Sequence, residues 1–70
     1  MEYPLVEYKT DTMRGGVPQK ELGMVLAFTR EGTAIIVSKA GNLYQRPINQ
    51  IHFKGFTEGL RWTATQLPLL

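Results

Sequence analysis

The chain has 70 residues, 43% hydrophobic and 20% charged, with eight Lys and Arg against six Asp and Glu for a net charge of +2. Such a balance excludes an intrinsically disordered chain and sets an upper bound of one domain with a small core, since a chain of this size buries only about 60% of its unfolded surface. No cysteine is present, which excludes disulfides and thiolate metal sites, and the longest uncharged stretch, Trp62 to Leu70, is broken by Pro68 and far shorter than the roughly 20 residues a helix needs to cross a bilayer.

Residues 1–5, Met-Glu-Tyr-Pro-Leu, carry neither a basic region nor an apolar run, so no secretory signal is expected; a flexible amino-terminal arm and a cytoplasmic location are. "VEYKTDTM", rich in strand-compatible Val, Tyr and Thr, reads as a first strand. "RGGVPQKELG", residues 14–23, holds three glycines and a proline and reads as a loop. "MVLAFTR", "TAIIVSK" and "NLYQR" are then three short β-branched and aromatic runs, separated by the pairs Glu31-Gly32 and Ala40-Gly41, which predicts a three-stranded meander with two hairpins.

Two-residue loops would place Phe28 opposite Ile35, Leu26 opposite Val37, and Val37 opposite Tyr44, making one apolar face of Leu26, Phe28, Ile35, Val37 and Tyr44. A longer loop with a bulge would shift that register by one. Val25, Ala27, Ala34, Ile36 and Leu43 would lie on the other face, which is not polar either, so the central strand is expected to be covered on both sides. Pro47 cannot donate to a ladder and ends its strand or lies at an edge, "INQ" suits one tight turn, and "IHFKG" resumes as a short strand with Ile51 and Phe53 pointing inward and His52 outward. Residues 56–70 form an apolar tail in which Leu60, Trp62 and Ala64 alternate with polar residues, as a strand would.

The two glycine hairpins together with "YQRPINQIHFKG", where a proline-led turn joins the fourth and fifth strands, resemble a small SH3-like β-barrel over roughly residues 6–55. The resemblance implies an all-β, five-stranded barrel as a single domain, residues 1–70. An open barrel of the oligonucleotide-binding type is the nearest competitor. The aromatic-rich loop with which SH3 domains grip proline-rich peptides is not present, so that ligand class is not implied.

Catalysis is not expected: His52 is the only histidine and Ser38 the only serine, the acidic residues are scattered, and "RGGVP" lacks the spacing of a phosphate-binding loop. No cofactor and no metal is expected. An active site assembled from several copies would have to draw on Tyr44, Gln45 and His52. The expected function is that of a non-catalytic interaction module, an adaptor or regulator that binds a protein partner or itself through apolar residues beyond what a small barrel can bury: Val25, Ile36, Leu43, Trp62, Leu67, Leu69 and Leu70. The alternative is a nucleic-acid binder using the dispersed cations Arg30, Lys39, Arg46, Lys54 and Arg61 beside Phe28, Tyr44 and Phe53.

Overall fold

The computed structural model describes residues 1–59 and 62. Strand β1 (Glu2–Arg14) is followed by β2 (Val17–Phe28), β3 (Thr33–Ser38), β4 (Leu43–Pro47), a single 3-10 turn (Ile48–Gln50) and β5 (His52–Glu58). All pairings are antiparallel, in one open sheet of order β4-β3-β2-β1-β5. The protein is therefore all-β, but β4 and β5 are the two edges of a sheet rather than neighbours in a closed barrel.

Three expectations are corrected by this arrangement. The amino terminus is a strand: Glu2 to Leu5 pair with Glu58 to Gly55 on β5, which extends beyond the expected "IHFKG". The expected loop over residues 14–23 is a tight hairpin. The ladder has a bulge between Lys9 and Met13, and at the tip only Gly15 and Gly16 form the turn, with φ of 58° and 80°; positive φ at both central residues is what a type I′ turn requires. Pro18, which argued for a loop, is tolerated in β2 because it faces Met13 close to the tip, whereas the neighbour on the other side, β3, begins pairing only at Gly23.

The third correction is register. Both hairpins of the meander use three-residue loops closed by a left-handed glycine, Gly32 at φ 83° and Gly41 at φ 85°. In the first, Gly32 N–H donates to Thr29 O at 3.2 Å and Thr29 N–H to Thr33 O at 2.8 Å; in the second, Gly41 N–H donates to Ser38 O and Ser38 N–H to Asn42 O. One extra loop residue moves the pairing by one, so Phe28 faces Ala34 and Ile36 faces Tyr44. The faces exchange accordingly. Val25, Ala34 and Ile36 are the core, at 1%, 0% and 0% exposure, while Leu26 and Phe28 are exposed.

The buried cluster is Val6, Tyr8, Val25, Ala34 and Ile36, with Tyr44 and Ile51 packed against it. β3 alternates in burial at every residue although its sequence "AIIV" does not, because Ile35 and Val37 on its other face are only half-covered. Gly23 lies opposite both Val6 and Ser38 in the middle of the sheet. A Cβ there would come to 2.7 Å from Tyr8 Cε1 and closer still to Ile36 Cγ2, so the absence of a side chain is what lets these two core residues close over β2.

Curling also brings β4 against β1, which it does not pair with. Arg46 donates from Nε to Lys9 O at 2.9 Å and from Nη2 to Asp11 Oδ1 at 2.9 Å. Its guanidinium lies 5.2 Å over the Tyr44 ring, whose centroid is 5.2 Å from that of Tyr8. At the other end, Ile48 N–H donates to Gly32 O at 3.0 Å, which anchors the proline-led turn on the β2–β3 hairpin as the chain passes from β4 to β5.

Candidate interaction surface

Val25 and Ile36, expected on a partner-binding face, are core residues and unavailable to a partner. Leu43, at the start of β4, is 65% exposed. Trp62 is buried at 5%, with the Lys39 ammonium 5.8 Å from the centre of an indole ring. Gly59 and Trp62 are helical, so Trp62 does not occupy the strand expected of the tail. Leu67, Leu69 and Leu70 lie outside the described residues, as does Arg61.

The expected cations do not converge. Arg30 lies on the β2–β3 turn, Lys39 on the β3–β4 turn at the opposite end of the meander, and Lys54 on β5. Arg46 is committed to Lys9 and Asp11 and joins the fold together. The aromatic residues expected to accompany them are divided too: the Tyr44 ring packs tilted against that of Tyr8, whereas Phe28 and Phe53 are 55% and 60% exposed.

An apolar surface not expected from the sequence lies on β5. The ladder between β1 and β5 slips by one between Leu5 and Val6, which leaves Lys54 as an extra residue next to Gly55 at φ 144°. Residues 53 and 56 would face opposite sides of a regular strand, three apart as they are. With the bulge they stand opposite Val6 and Pro4, which share a face of β1, and their rings meet edge to face at 5.1 Å. Phe53, expected to point inward, shares the face of the buried Val6, but β5 is an edge and leaves it exposed beside Phe56 at 62%. The only hint in the sequence was Gly55 within "HFKGF".

His52 is exposed, as expected, and stands opposite Glu7 across β1 and β5. Tyr44 and Gln45 are successive residues of β4, with Gln45 Nε2 donating to Thr33 Oγ1 at 2.8 Å. Among the described residues no three His, Asp or Glu side chains gather as a metal site would require, and no helix is long and apolar enough to cross a membrane.

Tyr8 is buried in the core at 1% exposure. Burial, with Glu21 nearby on the facing strand, pushes its phenol up from 10.0 to about 12. Its Oη is buried on the side of Glu21. Neither a family model, nor a curated protein, nor a solved structure matches the chain.

Proposed function

We propose that this protein is a non-catalytic interaction module of the cytoplasm, an adaptor or regulator that receives an extended strand of a protein partner, or of a second copy, along the β5 edge of the sheet. Strand order and the proline-led turn between β4 and β5 support reading the sheet as an opened SH3-like barrel. The observation that carries the functional reading is the Phe53–Phe56 pair on an edge strand. An edge offers a row of backbone donors and acceptors, and side chains alternating along it select the partner; together these are the elements of recognition by strand addition. Aromatic rings already packed against each other lose little freedom on binding and are frequent anchors of interfaces.

The test is selection of peptides from a random library on the immobilised chain, followed by amide hydrogen exchange of the complexes. Bound peptides should protect β5 amides, and Phe53→Ser/Phe56→Ser should abolish their binding while the far-ultraviolet circular dichroism is unchanged. Selected peptides that leave β5 exchange unaltered, or that bind the double variant equally well, would refute strand addition at this edge.

A further inference from the structure

The hairpin of β1 and β2 extends beyond the rest of the sheet. β5 accompanies β1 only from Glu2 to Glu7, and β3 accompanies β2 only from Gly23 onward, so residues 8–14 and 17–22 form a two-stranded ribbon. An isolated ribbon is marginal in water. This one is clamped at its base by Arg46 on Lys9 O and Asp11, and inside its bulge by Thr10 Oγ1, which donates to Gln19 O at 3.1 Å and accepts from Thr12 N–H at 3.2 Å. At the tip the glycine pair makes the turn as narrow as a hairpin allows.

The charges on the ribbon are arranged against its own stability. Lys9 stands directly opposite Lys20, both exposed, and like charges facing each other across a ladder are unfavourable. Among the described residues neither ammonium has a carboxylate partner, and the same is true of the Arg14 guanidinium beside the turn. Of the two acidic residues on the ribbon, Asp11 is held by Arg46, and Glu21 faces Tyr8. Met13 and Val17 at the tip are 57% and 60% exposed. The combination is a narrow basic arm with an apolar end.

We infer that this ribbon is a docking arm for duplex DNA, with Lys9, Lys20 and Arg14 on the phosphates and Met13 and Val17 leading into a groove. Charge complementarity selects the occupant, since a polyanion relieves the Lys9–Lys20 opposition along its whole length, and the shape fits it. Two strands lie about 5 Å apart, and the B-form major groove, about 12 Å wide, admits a two-stranded ribbon. The deep, narrow major groove of duplex RNA does not. Apolar side chains flanked by cations at the end of such an arm can also wedge between base steps from the minor groove. The arm is separate from the β5 edge and uses none of the cations that the sequence singled out; it does not depend on the proposal of strand addition.

The experiment is fluorescence anisotropy of a labelled random-sequence DNA duplex titrated with the full chain at salt from 50 to 200 mM. Three phosphate contacts give a slope of about −2.7 for log affinity against log salt, or about a 40-fold loss over that range. Lys9→Gln/Lys20→Gln should reduce the slope to about −0.9, a loss of about 4-fold, and weaken binding at 50 mM. Removing the like-charge opposition leaves the double variant no less stable, so a folding defect does not confuse the result. Arg30→Gln/Lys54→Gln removes the same charge elsewhere and should keep the parental slope. An equal effect of both double variants would overturn the arm as the site. Absence of duplex binding at 50 mM would overturn DNA as the occupant, as would tighter binding of duplex RNA or of a poly-glutamate peptide.

Discussion

Gly23→Ala is a test of how the sheet closes on itself. The backbone at Gly23 lies outside the left-handed region, so an alanine there is not strained by φ, and the loss of chain freedom in the unfolded state would by itself favour the variant by about 0.4–1 kcal/mol. Space opposes it. The added Cβ meets Tyr8 Cε1 at 2.7 Å, Val37 O at 3.2 Å and Ile36 Cγ2 more closely than either. Tyr8 and Ile36 are 1% and 0% exposed, so neither is a flexible surface chain that can swing aside. Overpacking of this kind costs about 1–3 kcal/mol, and the expected net destabilisation is about 1–2 kcal/mol. Urea unfolding followed by Trp62 fluorescence and circular dichroism would measure it. In an Ile36→Ala background the penalty of Gly23→Ala should shrink by at least about 0.5 kcal/mol, because the closest obstacle has gone. A Gly23→Ala variant as stable as the parent, or a penalty that ignores Ile36, would refute the packing explanation.

Gly16→Ala should destabilise by a different route, about 1 kcal/mol from φ 80° with open space around the new Cβ, so its cost should be independent of every core variant in the same urea assay. Arg46→Ala should cost about 1–2 kcal/mol and Asp11→Asn no more than about 0.5, because Asp11 is 85% exposed and the bond to Lys9 O is the stronger part of the link; equal effects would mean that the ion pair is what joins β4 to β1. Tyr8 favours its neutral form in the fold, so below pH 10 the phenol is protonated folded or unfolded and stability is at its full value. Between pH 10 and 12 the unfolded chain ionises first and up to about 3 kcal/mol is lost, a decline that urea midpoints should show and that Tyr8→Phe should reduce.

Strand existence was legible in the sequence where residue types and punctuation agreed. Pro47 ended β4, "INQ" made one 3-10 turn, and Gly32 and Gly41 closed the hairpins of the meander. What failed was register, which depends on one residue: a two-residue and a three-residue loop around the same glycine are compatible with the same sequence, yet they send opposite faces inward. The bulge in β2 between Val25 and Ala27 made this worse, since Gly23, Met24 and Val25 are buried in succession and no alternation survives there to be read. "RGGVPQKELG" departs from the expected loop for a related reason. Gly15-Gly16, Pro18 and Gly23 look alike as loop formers, but the first pair makes a turn by positive φ, the proline occupies an edge position, and Gly23 gives way to Tyr8 and Ile36.

The same lesson governs the cations, whose roles follow from the curl of the sheet and not from their neighbours in sequence. Arg46, flanked by Gln45 and Pro47 and next but one to Tyr44, had the local appearance of a phosphate-binding residue, and it is the bond across to Lys9, 37 residues earlier, that shows it to be part of the scaffold. Lys9 and Lys20, unremarkable in sequence, become significant only when the hairpin register sets them opposite each other. By holding the Lys9 carbonyl and the Asp11 carboxylate, Arg46 also takes away an anion that would otherwise neutralise the ribbon. Arg46→Ala should therefore do more than loosen β4. It removes one positive charge from the protein and frees Asp11 to pair with the ribbon's lysines, so duplex affinity should fall by more than in Lys54→Gln, which removes the same charge from β5. Equal losses in the two variants would leave Arg46 as a structural clip with no influence on the arm.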